Sequence, residues 1–351
     1  MPTGTTGRTT SFDIAYRAGV SQPTVSRALR GDRAVSPATR EKIERIAREL
    51  NYTVDKNASA LRTQRANTVA LLFFEDPAPD DSHINPFFLS MLGSITRAAG
   101  VRGLDLLVSF QRMEDDWHTR YQDSHRADGL ILLGYGDHML YQKRLDQLAA
   151  QGTRFVRWGP VDAGQPGAVV GSDNWAAGRM AGEHLLRLGC SRLAFLGQAS
   201  ASYPEFLARY CGLREAAGDV LQHDALSSEA HGYAAVEALL AAGERPDGIF
   251  AASDLIAIGA MRALADHGLR VPGDIPVIGF DNIAAAASTS PSLTSIEQDT
   301  ARAAEALTEA LVRQIAGGSP EALTLGTRLV QRDSTRRRPQ AACPPSGRVP
   351  A

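Results

Sequence analysis

The sequence predicts an α/β protein with a small all-helical head at its N-terminus. Within the first 65 residues apolar side chains recur at helical spacing, whereas from residue 68 onward short, continuously apolar segments alternate with amphipathic ones. Apolar strands that alternate with helices are typical of parallel sheets covered on both faces. About ten such strands exceed one sheet of usual size, so two doubly wound parallel subdomains are expected.

The segment SFDIAYRAGVSQPTVSRALR, residues 11–30, is predicted to form two short helices joined by a sharp turn at Gly19. Ser21 stands where an N-cap belongs, and Pro23 is tolerated because the first turn of a helix needs no N–H there. A third helix is expected over 37–50. The second helix presents amides, hydroxyls and arginines, which suit the base edges and phosphates of DNA. These features predict a helix-turn-helix DNA reader.

Charge is divided unevenly along the chain. Residues 1–65 contain 12 Lys/Arg and 6 Asp/Glu, a net charge of +6, whereas residues 66–351 contain 25 and 33, a net charge of −8. A basic head on an acidic body is expected when only the head meets a polyanion.

Composition excludes several other classes. No apolar run is long enough to cross a membrane, and the N-terminus lacks the apolar core of a signal peptide. Cys190, Cys211 and Cys343 lie far apart, which argues against a disulfide framework and fits a reducing compartment. We therefore expect a cytoplasmic protein without a membrane segment.

Within the body, the first strand, 69–74, is expected to lead through a long loop to a helix that begins near Leu89. A polar helix is expected around 114–126. In the second half of the body, strands are expected at 192–197, 248–253 and 276–281, and the segment TLGTRLVQR is expected to close the body with strands.

Ligands of such sheets bind beyond the carboxyl ends of the strands. Polar or aromatic side chains stand at or near several of these ends, and one arginine lies on a following helix. Carboxylates, aromatic faces and an arginine suit a small polyhydroxylated or heterocyclic ligand. For Asp254 a simple helix-capping role remains open, as does a core role for Phe87 and Phe88. The residues concerned are Phe87, Phe88, Tyr135, Trp158, Asp173, Arg209, Asp254 and Asp281.

Signatures of catalysis are missing from the sequence. It contains no GxGxxG after a strand, no GxxxxGK[ST], no GxSxG and no HExxH, and its eight histidines show no metal-ligand spacing. We therefore predict a protein that is not an enzyme and that uses no cofactor or metal.

Several independent motifs resemble the LacI/GalR family of bacterial transcription regulators, over roughly residues 10–335. In the head they are DIAYRAGVSQPTVSRALRG, VSPATREKI, ELNY and ASAL. In the body they are SDNWAAGRMAGEHLLRLG, SDLIAIGAMRALADHGLRVPGDIPVIGFDN and LVQRDST. The resemblance implies a helix-turn-helix head, a hinge helix, and a periplasmic-binding-protein-like core of two doubly wound parallel α/β subdomains.

The resemblance also implies domain boundaries. A disordered start, 1–9, would precede the DNA-binding head, 10–54, and the hinge or linker, 55–65. The core, 66–335, would divide into an N-subdomain (66–170 with 300–326) and a C-subdomain (171–299 with 327–335), followed by a disordered tail, 336–351. From composition alone, the 55–65 segment remains open between a helix that folds on a partner and a solvated linker.

For the head, the resemblance implies that Gln22, Pro23 and Arg27 face bases in the major groove. Pro23 departs from members that carry an amide here, so readout falls more heavily on Gln22 and Arg27. In the hinge, Ala58 and Leu61 would contact DNA, with Leu61 inserted as a wedge in the minor groove. The residues placed against phosphates are Ser21, Thr24, Ser26, Arg30, Ser36 and Thr39.

For the body, the resemblance assigns Arg209 and Asp281 to gripping a small-molecule effector, with Phe87 and Phe88 as ring contacts. The residues implied to line the same cleft are Tyr135, Trp158, Asp173, Ser227 and Asp254.

The predicted function is that of a repressor of transcription whose affinity for double-stranded operator DNA is switched by an effector bound between the subdomains. A sugar is the expected effector, and a nucleobase or nucleoside is the alternative. The resemblance implies a homodimer, and because the proline-containing tail offers no leucine heptad, the tetramer of some family members is not expected. A sugar-binding protein without a DNA role and a sugar-metabolising enzyme are the competing classes.

Overall fold

The structure, a computed structural model, describes residues 9–29, 31–52, 65–74, 84–111, 115–134, 138–162 and 165–336. It contains two compact units, a head within Met1–Ala66 and a core within Asn67–Ala351. Most of the hinge segment and nearly all of both predicted disordered ends lie outside the described residues. The same holds for four residues with a predicted role in binding: Arg30, Ala58, Leu61 and Tyr135.

The head is a bundle of three helices, α1 (Ser11–Ala18), α2 (Gln22–Leu29) and α3 (Pro37–Glu49). Its small apolar core is built around Ile14, Val25 and Ile43, which are fully buried. Gly19 ends α1 with a left-handed φ of 66°, a conformation that glycine adopts without steric cost. The Ser36 hydroxyl caps α3 by accepting from the Thr39 backbone N–H at 3.3 Å. These contacts confirm the predicted helix-turn-helix.

Twelve strands form the framework of the core as described. They are β1 (Thr68–Phe73), β2 (Asp105–Phe110), β3 (Gly129–Leu133), β4 (Phe155–Trp158), β5 (Ala168–Ser172), β6 (Leu193–Leu196), β7 (Val220–His223), β8 (Gly248–Ala251), β9 (Val277–Asp281), β10 (Thr294–Gln298), β11 (Ala322–Leu325) and β12 (Thr327–Val330).

Seven α-helices of the described core connect these strands. They are α4 (Pro86–Val101), α5 (His138–Ala150), α6 (Asn174–Arg187), α7 (Pro204–Ala217), α8 (Glu229–Ala241), α9 (Asp254–Asp266) and α10 (Thr300–Ile315).

The strands form two six-stranded sheets, in the orders β11-β5-β4-β3-β1-β2 and β12-β10-β9-β8-β6-β7. The first sheet is parallel throughout, and helices α4 and α10 pack together beside it. In the second, α6 packs on α7 and α8 on α9. The chain passes between the sheets three times, after Ser172, after Gln298 and at Gly326. We call the unit around the first sheet the N-subdomain and that around the second the C-subdomain.

The two-sheet architecture predicted from the sequence is confirmed, with local differences. Strand β12 pairs antiparallel with β10, so the second sheet is not wholly parallel. Strands β7 and β10 were not predicted, because β7 is a short, half-exposed edge strand and β10 carries polar residues that pair inside the fold. In place of the helix expected around 114–126 the structure has one π-helical turn, His118–Asp123, beside the buried Trp117.

The sequence predicts that helix α4 begins near Leu89, but in the structure it begins at Pro86. The Asn85 side chain accepts from the Phe87 backbone N–H at 3.0 Å, and Pro86 occupies the first helical position. Phe87 and Phe88 therefore lie in the first turn of a helix and not in a loop. No helix in the described part of the chain is long and apolar enough to cross a membrane.

Candidate functional site

The two sheets point the carboxyl ends of their strands at a shared cleft. Its two sides are joined by a hydrogen bond from Asn85 Nδ2 to Ser227 Oγ, 3.2 Å, and by another from the His138 backbone N–H to the Ser202 carbonyl, 2.9 Å. The cleft encloses a cavity of about 20 Å³. A cavity of this size has room for a water molecule, so the structure shows the cleft in a narrow form.

Arg209 is the most firmly held charged residue at the cleft. It projects from α7 and is 1% exposed. Its Nε donates to Asn174 Oδ1 at 2.8 Å, and Nη1 donates to the Ala252 carbonyl. The guanidinium carbon lies 3.5 Å from the centre of the Phe280 ring, an arrangement that favours a positive charge there. The structure thus fixes the orientation of Arg209 in advance of any ligand.

Asp281 ends strand β9 with a φ of 106°, an unusual value for a residue with a side chain. Its Oδ1 accepts from Gln298 Nε2 at 2.7 Å. Burial raises the pKa of Asp281 to about 7, although the charge of Arg209 acts in the opposite direction. Backbone strain and a shifted pKa of this kind concentrate at functional sites.

Gln298 connects Asp281 to the passages between the sheets. Its Oε1 accepts from Ser172 Oγ at 2.7 Å, while its amide nitrogen serves Asp281. On the other side, Asn174, which holds Arg209, donates to the Ser172 carbonyl at 3.0 Å. Arg209 is therefore linked to Ser172 through Asn174, and Asp281 is linked to it through Gln298. Ser172 is the residue after which the chain first leaves the N-subdomain.

Asp254 lies deeper than the sequence implied. It is fully buried, and its two carboxylate oxygens accept from Ser295 Oγ at 2.6 Å and from the Ile283 backbone N–H at 2.8 Å. Ser253, and not Asp254, caps helix α9. Burial, together with the neighbouring charge of Asp281, raises the pKa of Asp254 well above its usual value. These contacts give Asp254 a structural position beneath the cleft.

Two other polar residues with predicted roles lie nearer the cleft surface. Ser227 donates to Ser253 Oγ at 2.8 Å and accepts from Asn85, so it bridges the two sides. Asp173 caps α6, because its carboxylate accepts from the Ala176 backbone N–H at 2.9 Å, and it remains half-buried.

The predicted aromatic residues lie at different depths. Trp158 lines the small cavity together with Phe206 and Tyr203. Phe87 lies behind Trp158, with ring centres 5.9 Å apart, and Phe88 packs against Phe87 at 5.3 Å. Both phenylalanines belong to the apolar core in this form of the cleft.

Sequence reasoning missed several polar residues of the cleft. Tyr141, His138 and Glu205 line the cavity, and Arg157 lies buried beside them. The one available signal was Arg157 itself, a charged residue inside the apolar strand RFVRWG. No group of three or more side chains suited to a metal ion occurs in the described ranges.

On the head, helix α2 presents a polar surface. Ser21, Pro23 and Arg27 are exposed, and Gln22 is half-buried, with its Nε2 donating to Ser11 Oγ at 3.2 Å. Thr24 and Ser26 are half-buried on the same helix. At the start of α3, the Ser36 and Thr39 hydroxyls lie 2.8 Å apart. Two exposed aromatic residues of α1, Phe12 and Tyr16, were not predicted to have a role.

These features define a class: a helix-turn-helix head followed by a two-sheet α/β core with a cleft of fixed charged groups. Comparison with known proteins supports both parts. Residues 12–55 match the model of bacterial regulatory proteins of the lacI family, and residues 183–335 match that of a periplasmic binding protein-like domain.

Among curated relatives, the chain is 32% identical to the HTH-type transcriptional regulator CelR of Thermobifida fusca, covering 92% of this chain and 96% of the relative. It is 30% identical to the ribose operon repressor of Escherichia coli, covering 87% and 93%. The chain therefore belongs to the LacI family of transcriptional regulators. These relatives are regulators and not enzymes, in agreement with the prediction from the sequence.

Two solved structures extend the comparison. A complex of CelR with cellobiose is 31% identical, with a TM-score of 0.66, and the match covers 93% of this chain and 100% of that chain. The lac repressor dimer bound to operator and the anti-inducer ONPF is 25% identical, with a TM-score of 0.77, and the match covers 94% and 99%.

Proposed function

We propose that the protein represses transcription by binding an operator as a homodimer, and that a sugar-type effector in the cleft changes its affinity for DNA. The observation that carries the effector role is the fixed, buried pair Arg209 and Asp281 at the meeting of the two sheets. Neither charge is exposed to bulk water, and both are held by amide side chains, Asn174 and Gln298. A prearranged donor and acceptor suit a ligand with several hydroxyl groups.

The narrow form of the cleft also supports a switch. The cavity of about 20 Å³, which Tyr141 and Glu205 line but Arg209 and Asp281 do not, is too small for a sugar, so we expect the subdomains to separate when a ligand enters. An effector that binds one arrangement of the subdomains better than another shifts the equilibrium between them. The relatives support this role, since one is named a ribose operon repressor and another is seen in complex with cellobiose.

The DNA-binding role is tested with Arg27→Ala. We expect the variant to lose about 10- to 100-fold in affinity for the operator, because an arginine that reads a base contributes about 1–3 kcal/mol of discrimination. Binding to unrelated DNA should change much less. The measurement is an electrophoretic mobility shift against DNA upstream of its own gene.

Arg45→Ala is the matched control, since Arg45 is also exposed but lies on α3, outside the predicted reading helix. An Arg27→Ala variant that keeps full preference for the operator would show that α2 does not read bases.

The effector role is tested by titrating the full-length protein with monosaccharides, disaccharides, nucleosides and nucleobases in a calorimeter. We expect a sugar to bind and to change operator affinity, either by releasing the protein or by strengthening the complex. Asp281→Asn should reduce its binding. A nucleoside or nucleobase hit without a sugar hit would favour the alternative effector class.

The dimer role draws on one relative and one surface. The lac repressor structure is of a dimer on its operator. In this chain, strand β2 lies at the edge of its sheet beside α4, and four large apolar side chains are exposed on these elements: Leu89, Val101, Val108 and Phe110. An apolar edge of this kind favours pairing with a second copy.

A further inference from the structure

Arg157 is a buried charge whose hydrogen bonding is incomplete. The residue lies on β4 and is 0% exposed. Its Nη2 donates to Gln165 Oε1, but Nε and Nη1 are buried and have no partner among the described residues. Burial lowers the pKa of Arg157, yet a guanidinium stays protonated in proteins. A buried cation with two unused donors is unfavourable unless an acceptor reaches it.

A third unused donor, on another residue, lies nearby. The Tyr141 hydroxyl is buried and has no partner in the part of the chain that the structure describes. Burial raises the pKa of Tyr141, so the phenol keeps its proton and can donate. Tyr141 lines the cavity of the cleft together with His138, whose Nε2 lies 2.9 Å from the amide nitrogen of Gln165.

The nearest acidic residue on the opposite side of the cleft is Glu205, in the first turn of α7. A Cβ atom at Gly159 would lie 3.0 Å from Arg157 Nη1 and 3.7 Å from Glu205 Oε1, so both side chains approach the backbone at this glycine. Within the described ranges no salt bridge joins Arg157 to Glu205. Burial raises the pKa of Glu205, although the charges of Arg209 and Arg157 act in the opposite direction. A raised pKa makes the Glu205 carboxylate a weaker counter-ion.

The cavity lies at the carboxyl end of β4, where Tyr141, Trp158 and Pro160 line it, and Arg157 lies buried on the same strand. An incoming oxyanion can accept from the unpartnered Nη1 of a guanidinium and from the O–H of a phenol. A neutral hydroxyl accepts more weakly, and it leaves the buried positive charge without a partner.

We propose that Arg157 and Tyr141, which we call the donor cluster, bind an anionic group of the effector, so that the protein responds to an acidic sugar. The anionic group is a carboxylate or a phosphate, since a guanidinium recognises both. Glu205 faces the adjoining part of the sugar. This inference rests on the proposed function of the cleft as the effector site, and it narrows the class of effector.

The test compares acidic sugars with their neutral counterparts on the full-length protein. Calorimetric titrations use glucuronate against glucose, galacturonate against galactose, gluconate against sorbitol, and hexose phosphates against the parent hexoses. We expect one acidic probe to bind on the order of 10- to 100-fold more tightly than its neutral counterpart, as for loss of hydrogen bonds to a charged group. The identity of that probe distinguishes a carboxylate from a phosphate.

Arg157→Met should remove this preference, and Arg157→Lys should restore part of it. Arg154→Met is the matched control, because Arg154 is exposed just before β4 and should leave the preference unchanged. Tyr141→Phe keeps the ring and removes only the unused hydroxyl. We expect it to weaken binding of the acidic probe several-fold without lowering the melting temperature, so the test survives if Arg157→Met does not fold.

Two results would overturn the inference. In the first, a neutral sugar binds and changes operator affinity, and neither Arg157→Met nor Tyr141→Phe affects the binding of that sugar. The proposed function would then stand without an acidic effector. In the second, Arg157→Met lowers the stability of the fold, adding Glu205→Gln restores it, and binding of the acidic probe is unaffected. Arg157 would then be a counter-ion of Glu205. Loss of operator binding, or no sugar response of any kind, would instead count against the proposed function.

Discussion

Asp281 shows how a single residue of the cleft is held in an unfavourable state. Its backbone has a positive φ, and its carboxylate is buried with one strong donor, Gln298. The neighbouring Asn282, also at positive φ, is fastened by Ser295, Glu297 and Arg332. Strain of about 1–3 kcal/mol at such a residue persists only where the surrounding contacts fix it.

This state of Asp281 predicts a pH dependence of stability. Its pKa is raised to about 7, above that of an unfolded aspartate, so the folded protein holds the proton more tightly. The resulting stabilisation is complete below about pH 4 and is lost as pH rises through about 7. Relative to Asp281→Asn, the wild-type free energy of unfolding should fall by a few kcal/mol across this interval, on the order set by the shift.

The measurement is urea unfolding of both proteins at a series of pH values. Two curves that stay parallel from pH 4 to 7 would show that Asp281 titrates normally in the folded protein. Because the asparagine amide oxygen still accepts from Gln298, the variant preserves the local hydrogen bond.

At this scale the sequence predicted residue identity better than residue environment. Resemblance to a family placed Arg209 and Asp281, and the structure puts both at the meeting of the sheets. The sequence could not predict that the Asp254 carboxylate accepts hydrogen bonds from Ser295 and from the Ile283 backbone, because those contacts join segments about 30 to 40 residues apart. The sequence likewise could not predict that Arg157 has unused donors, because this depends on which side chains pack within hydrogen-bond distance of it.

Among the elements, the crossing of α6 and α7 sets the position of Arg209. A Cβ at Gly212 would lie 1.9 Å from the Trp175 carbonyl oxygen, and one at Gly178 would lie 1.9 Å from the Arg209 carbonyl oxygen. The two helices therefore approach through paired glycines, one on each helix. Neither glycine has a positive φ, so close approach and not backbone conformation explains their presence.

Gly212→Ala should push α7 away from α6 and carry Arg209 with it. Overpacking of this kind typically costs about 1–3 kcal/mol. We expect a lower melting temperature and weaker effector binding, measured by thermal denaturation and calorimetry. Cys211→Ala changes the exposed neighbouring position on the same helix and should leave both unchanged. Equal behaviour of the two variants would show that the crossing tolerates a larger separation.

Element boundaries were predictable where a local signal existed. Ser36-Pro37 announced the start of α3, and the structure confirms it. The equivalent signal Asn85-Pro86 starts α4, although the sequence predicts a loop that continues through Phe88. Strand β10 has no apolar run by which it could be predicted from the sequence. Its polar side chains are buried because they form hydrogen bonds with Asp254, Asp281 and Ser172.

For the whole molecule, the proposed dimer determines how strongly the head can bind. One head carries a net charge of +6 and one short reading helix, which makes a modest binder by itself. Two heads joined in a dimer gain about 10²- to 10⁴-fold from their effective concentration on one operator. The affinity of the protein for DNA should therefore depend on the contact between the cores.

Val108→Glu should disrupt that contact by placing a charge on the exposed edge strand β2. We expect a monomer by analytical ultracentrifugation, with operator affinity reduced at least about 100-fold and effector binding retained. Leu323→Glu makes the same change on β11, at the opposite edge of the same sheet, and should stay dimeric. A dimeric Val108→Glu variant would place the interface elsewhere.

The three passages of the chain between the sheets have a consequence for how this protein can be divided. The sheet of the N-subdomain takes its edge strand β11 and its covering helix α10 from the C-terminal part of the chain, after all but one strand of the C-subdomain sheet. A fragment that stops at residue 299 would lack both, and one that starts at residue 173 would carry them without the sheet they cover. Neither half of the core can be expressed, inherited or exchanged as a continuous gene segment, whereas the head can be exchanged by a single junction.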